Sequence, residues 1–74
     1  MKKEDFLNKL GVRIREIRKE KSITQTQLAH SVGKDQQSIQ RLEAGNINPT
    51  LYYLFEISEG LGISLERIII NIDK

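Results

Sequence analysis

Apolar residues recur at spacings of three and four along almost the whole chain. Leu7, Leu10, Ile14 and Ile17 form the first stripe, with Lys9, Arg13, Arg15 and Lys19 on other faces. An α-helix imposes this period, because 3.6 residues per turn returns every third or fourth side chain to one face. The pattern predicts a helix from about Lys3 to Lys21, broken at Ser22-Ile23. Thr24 and Gln27 then form a capping box, a hydroxyl for free N–H groups and an amide three residues on. A second helix is predicted from Gln25 to about Ser31, with Leu28, Ala29 and Val32 inward. Gly33 stands where a turn after a helix needs left-handed backbone. Asp35 is a natural N-cap for a third helix, Gln36 to about Ala44, whose inward residues are Ile39 and Leu42. Gly45 stops it, and Asn46-Ile47-Asn48-Pro49 reads as a loop. Thr50 caps a fourth helix from Leu51 to about Leu61, with Leu54, Ile57 and Leu61 inward and Gly62 at its end. Ser64 caps a fifth, Leu65 to about Ile70. No segment shows sustained period-two alternation between hairpin turns. The β-branched run Ile68-Ile69-Ile70 follows a cap signal and reads as helix, with a strand as the alternative.

The prediction is therefore an all-α fold, five short helices in a compact bundle with short connections. In 74 residues this makes one domain, 1–74, with its core over about 5–70 and short flexible ends. Composition narrows the function. With no Cys and one His, His30, neither a disulfide framework nor a His- or Cys-built metal site is expected. No apolar run approaches the roughly 20 residues needed to span a bilayer. The charged start lacks an apolar stretch behind it, so no signal peptide is expected and the chain reads as cytoplasmic. Glu56, Glu59 and Glu66 have no nucleophile or metal motif beside them, so no enzyme, cofactor or small-molecule ligand is expected. His30 reads as a surface residue. Tyr52, Tyr53 and Phe55 read as core packing plus one surface phenol rather than a base-stacking platform.

The net charge of +2 hides an asymmetry. Met1 to Lys21 holds eight Lys or Arg against four Asp or Glu. Ser22 to Pro49 holds two against two, and Thr50 to Lys74 two against four. One end is basic and the other acidic, which points to a polyanion partner more strongly than the total does.

The informative stretch is Gln25 to Ala44, two short helices joined by a Gly-containing turn. Ala29 is small where the helices must cross closely, and Leu28, Val32, Ile39 and Leu42 form a shared apolar seam. This is a helix-turn-helix, whose second helix can enter a DNA major groove. The outer face of that second helix carries Lys34, Gln36, Gln37, Gln40 and Arg41. Gln can pair bidentately with adenine and Arg with guanine, so these five are the candidate base readers. Few acids interrupt them. Asp35 reads as a cap, and Glu43 lies toward the far end.

A longer series of residues carries a family resemblance. It comprises Leu10-Gly11, Arg13-Ile14, Ile17-Arg18, Ile23-Thr24-Gln25, Leu28-Ala29, Gly33, Ile39, Leu42-Glu43, Gly45, Pro49 and Leu61-Gly62-Ile63-Ser64-Leu65. In these positions the chain resembles the Xre-type helix-turn-helix family, that of Cro and the lambdoid phage repressors. The resemblance implies a five-helix, lambda-repressor-like DNA-binding domain. It implies that Gln25 touches a phosphate at the start of the second helix, and that Gln36 and Gln37 read bases as in repressors with the same Gln-Gln-Ser-Ile run. Arg41 would reach a base one turn on. Thr24, Ala44, Asn46 and Asn48 would lie near the DNA backbone, Ala44 only through its main chain. Arg18 and Glu43 would form a structural ion pair. Gly60 departs from the pattern, standing where the family usually has Ala, and predicts a less rigid fourth helix.

Leu65, Ile68, Ile69 and Ile72 form a C-terminal stripe more apolar than a small monomer needs to expose, a candidate dimer contact. Family members commonly pair through this end. The function implied is a sequence-specific regulator binding double-stranded DNA as a homodimer on an inverted repeat. The alternative is a protein-interaction module on the same fold, antitoxin-like or otherwise, with weak or no DNA binding.

Overall fold

The computed structural model describes residues 1–74 and contains five helices: α1 Lys3–Glu20, α2 Gln25–Ser31, α3 Gln36–Glu43, α4 Leu51–Leu61 and α5 Leu65–Ile69. The helix starts are set by short polar side chains. Thr24 Oγ1 accepts from the Gln27 N–H at 3.0 Å while Gln27 Oε1 accepts from the Thr24 N–H at 2.9 Å, which completes the capping box. Asp35, Thr50 and Ser64 each accept from the N–H three residues on. Each of these bonds satisfies a donor that the helix itself leaves free.

The helix ends share one geometry. The N–H of Ile23, Lys34, Asn46 and Ile63 each donates back to the carbonyl five residues earlier, on Arg18, Ala29, Arg41 and Ser58. This bond requires a left-handed residue just before the donor. Gly33, Gly45 and Gly62 supply it at α2, α3 and α4, but Ser22 supplies it at α1 with φ +57°.

All five helices share one core. Leu10, Ile14 and Ile17 of α1 meet Leu28 and Ala29 of α2, Ile39 and Leu42 of α3, Leu54, Ile57 and Leu61 of α4, and Ile68 of α5. Leu7 stays half-buried at the edge. Two glycines set how closely the helices approach. A Cβ on Gly11 would lie 2.6 Å from the Leu42 carbonyl oxygen, so α1 rests directly on the C-terminal end of α3. A Cβ on Gly60 would lie 2.5 Å from Val32 Cγ1 and 2.9 Å from Leu28 Cδ1. Gly60 is thus the point where α4 lies against α2. The expectation that it loosens α4 is corrected: the space a side chain would need is filled by neighbours.

The C-terminal stripe divides. Ile68 is fully buried and Ile72 nearly so, both closing the core. Neither is available for a contact with a second molecule. Leu65 is half-buried, and Ile69 and Ile70 are 38% and 48% exposed. The aromatic cluster also departs from expectation. Tyr52 and Phe55 are exposed, their ring centres 6.0 Å apart, and Tyr53 is half-buried.

Candidate nucleic-acid interface

The α2–α3 unit forms as its residues require. Ala29 is buried at the crossing, and Gly33 with φ +68° turns the chain sharply between the helices. Ile39 and Leu42 anchor α3 to the core. At 100° per residue, Gln36, Gln37, Gln40, Arg41 and Ala44 then fall within less than half of the helix circumference on the opposite side. Gln37, Gln40, Arg41 and Ala44 are exposed and Gln36 is half-buried. Thr24 at the start of α2 and Asn46 and Asn48 in the loop after α3 are exposed as well.

Beneath this face lies a charged floor. Arg18 and Glu43 are 7% and 6% exposed and make a two-point ion pair, Nε to Oε2 at 2.6 Å and Nη2 to Oε1 at 2.9 Å. Arg18 Nη1 also donates to the Ile23 carbonyl at 2.8 Å, so the guanidinium joins α1, α3 and the turn before α2. The hydrogen bonds to Glu43 hold the Arg18 pKa above its ordinary value, against the effect of burial.

The Glu43 carboxylate also orients two amides. It accepts and never donates when ionised, so the Gln25 NH₂ faces it, with Nε2 3.0 Å from Oε1. Gln25 Oε1 is left to accept from Gln36 Nε2 at 2.7 Å. Gln36 therefore keeps its own Oε1 and one N–H unused by the protein. The polarity of this chain of contacts runs from a buried arginine to the first residue of α3. Gln25, expected from the resemblance to hold a phosphate, is thus also the link that positions Gln36.

One expected member of the site is placed otherwise. Lys34 is corrected as a base reader. Its Nζ lies 3.0 Å from Glu56 Oε1 and 4.4 Å from the centre of the Tyr53 ring, so its charge is held against α4. Burial pushes the Tyr53 hydroxyl pKa up, and the Lys34 charge partly offsets this. Asp35, read as a cap, is one: its Oδ1 accepts from the Ser38 N–H at 2.7 Å. That bond lowers its pKa below the ordinary 3.8.

The basic first third is also less free than its count suggests. Arg13 Nη1 donates to the carbonyls of Arg67, Ile68 and Ile70 at 3.3, 3.2 and 2.9 Å, capping the end of α5. Lys9 Nζ reaches the Lys74 carbonyl at 3.3 Å. Together with Arg18 these cations serve the fold. Spacing alone gave no sign of this, because their acceptors lie 54 to 65 residues away in Arg13 and Lys9.

No helix is long and apolar enough to cross a membrane. The family pattern described as Helix-turn-helix matches residues 14–68. Over 70 residues the chain is 31% identical to an uncharacterized HTH-type transcriptional regulator of Sinorhizobium fredii, covering 95% of this chain and 91% of that one. Among solved structures it is similar to the restriction-modification controller protein C.AhdI from Aeromonas hydrophila, at 30% identity and a TM-score of 0.83, covering 85% of this chain and 91% of that one. It is also similar to the controller protein C.Esp1396I, solved as a tetramer in complex with its natural 35 base-pair operator. There the identity is 34% and the TM-score 0.80, over 93% of this chain and 96% of that one.

Proposed function

The chain belongs to the helix-turn-helix family, and from that premise we propose that it is a transcriptional regulator that reads double-stranded DNA by inserting α3 into the major groove. The observation that carries this reading is the exposed face of α3, with Gln36, Gln37, Gln40 and Arg41 anchored from behind by Ile39 and Leu42. Those side chains match base edges chemically. The unused Oε1 and N–H of Gln36 fit the donor N6 and acceptor N7 of adenine, Gln37 can make the same pair, and Arg41 fits guanine O6 and N7. Gln25 donates its remaining N–H to a phosphate, and Thr24, Asn46, Asn48 and the Ala44 main chain meet the adjoining backbone. Such contacts fix register without carrying sequence information.

The relative crystallised on its operator supports DNA as the ligand, and its tetrameric state supports self-association. In our reading the unit is a homodimer that joins through the exposed part of the C-terminal end, Ile69, Ile70 and the edge of Leu65. Two α3 helices related by a two-fold axis then meet half-sites about one DNA turn, roughly 34 Å, apart. The protein works by occupancy in the cytoplasm, where its target lies, and not by catalysis. Selection of bound duplexes from a random pool tests this. The reading predicts enrichment of an inverted repeat with a short half-site. Absence of any enriched sequence, with no duplex bound at low salt, would favour the protein-interaction alternative.

A further inference from the structure

A shallow groove between α1 and α3 borders the reading face. Its rim carries Arg15 and Lys19 from α1 and Gln40 and Ala44 from α3, with Gln25 at one end and the Arg18–Glu43 pair as its floor. The floor is self-neutralised, so the charge of the groove comes from its rim. Arg15 and Lys19 are one helical turn apart on one face, an arrangement in which like charges repel. The ion pairs in the chain are Arg18–Glu43, Lys34–Glu56 and Arg67–Glu20, so neither rim cation has an acidic partner. The other α1 acids lie elsewhere. Glu16 faces the groove toward Asn71 and Lys74, and Glu20 is held by Arg67. Helix α1 is thus sorted by face. Arg13 and Lys9 tie down the C-terminal end, Arg18 supports α3, and only Arg15 and Lys19 bring uncompensated charge beside it.

Resting on the DNA-reading function above, we propose that Arg15 and Lys19 form a clamp for a DNA backbone phosphate beside the bases contacted by α3. An anion there relieves the repulsion between the two cations, and Gln40 on the facing rim offers a further N–H donor. A phosphate contact of this kind adds affinity without sequence preference and makes binding salt-dependent, because each neutralised phosphate releases its condensed counterion. The clamp also supplies what the neutral glutamine face lacks, a cationic hold on the strand while the bases are read.

The test is a salt titration of the full chain on two probes, a duplex selected from a random pool by the wild-type protein and a mixed-sequence duplex of equal length. The double variant Arg15→Gln with Lys19→Gln is predicted to reduce the slope of log affinity against log salt by about 0.9, the share of one phosphate, and each single variant by part of that. Preference for the selected duplex over the mixed one stays unchanged. Lys74→Gln removes the same charge on another face and leaves the slope as in wild type, and Arg15→Lys keeps it. Wild-type slopes in the two Gln variants, or an equal loss in Lys74→Gln, would overturn the clamp while leaving the DNA-reading function intact. Failure of the wild-type protein to bind either duplex would instead overturn that function. Relief of repulsion predicts a thermal midpoint for Arg15→Gln and Lys19→Gln that is unchanged or raised. A fall would mark these residues as structural and contradict the clamp.

Discussion

Gln25 Oε1 accepts from Gln36 Nε2 at 2.7 Å, so the first residue of the reading helix is held by the first residue of the helix before it. The direction of that bond is not arbitrary. Glu43 accepts from the Gln25 amide on the other side, and its ion pair with Arg18 fixes the carboxylate. A structural ion pair therefore reaches the DNA face in two steps. In the proposed reading, removing Gln25 affects more than one phosphate contact, because Gln36 loses its hydrogen-bond partner as well. Gln25→Ala is predicted to weaken binding to all duplexes and also to relax preference at the base pair read by Gln36. Competition between a selected duplex and its single-base-pair variants measures both. A uniform loss with preference intact would show that Gln36 orients itself.

The ion pair itself is a matter of stability. Glu43→Ala leaves the Arg18 charge buried without its carboxylate, which costs about 3–5 kcal/mol. In a domain of this size that is a large part of the whole. The double replacement Arg18→Met with Glu43→Leu removes both charges and is predicted to recover most of the loss. Urea denaturation of the two variants decides the matter. Equal destabilisation by both would place the cost in lost packing and not in an unpaired charge.

Lys34 provides a contrast, a cation at the mouth of α3 that faces away from it. Lys34→Gln is predicted to leave base preference unchanged and to cost about 1 kcal/mol or less, the range of a partly exposed ion pair. Binding to the single-base-pair variants checks this. A change of preference at any one position would return Lys34 to the reading face.

Gly60 tests whether packing outweighs helix propensity. In an open helix, Gly→Ala gains about 1 kcal/mol. Here the new Cβ would meet Val32 Cγ1 and Leu28 Cδ1, and overpacking of this kind costs about 1–3 kcal/mol. Gly60→Ala is therefore predicted to lower the unfolding midpoint, and Val32→Ala in the same chain to recover part of it. A stabilised single variant would mean that α4 can move off α2 at little cost.

The helices were legible to within a residue because local chemistry bounds them. Thr24, Asp35, Thr50 and Ser64 cap the starts, and Gly33, Gly45 and Gly62 form left-handed ends. The α1–α3 pairing of Arg18 with Glu43 was legible only through resemblance, since the partners are 25 residues apart. What could not be read was the destination of long side chains. Lys34 follows Gly33 at the end of α2, and the turn there directs it to Glu56, a residue whose position depends on how α4 packs. Arg13 and Arg15 look alike in sequence. One caps α5 and the other stands unpaired beside α3, because they are two positions and some 200° apart on α1. The C-terminal stripe divides for the same reason. Ile68 and Ile69 are neighbours in sequence but face the core and the surface, respectively.

The central claim is that α3 reads bases through neutral glutamines, and Gln37 tests it most directly. It is exposed and makes no hydrogen bond to another side chain, so its replacement disturbs little else. The affinity of Gln37→Ala for the selected duplex, set against every single-base-pair variant of that duplex, separates reading from mere attachment. The account predicts a loss of about 1–3 kcal/mol on the selected duplex, with discrimination relaxed at one base pair per half-site. An equal loss on every duplex, or no loss at all, would contradict it.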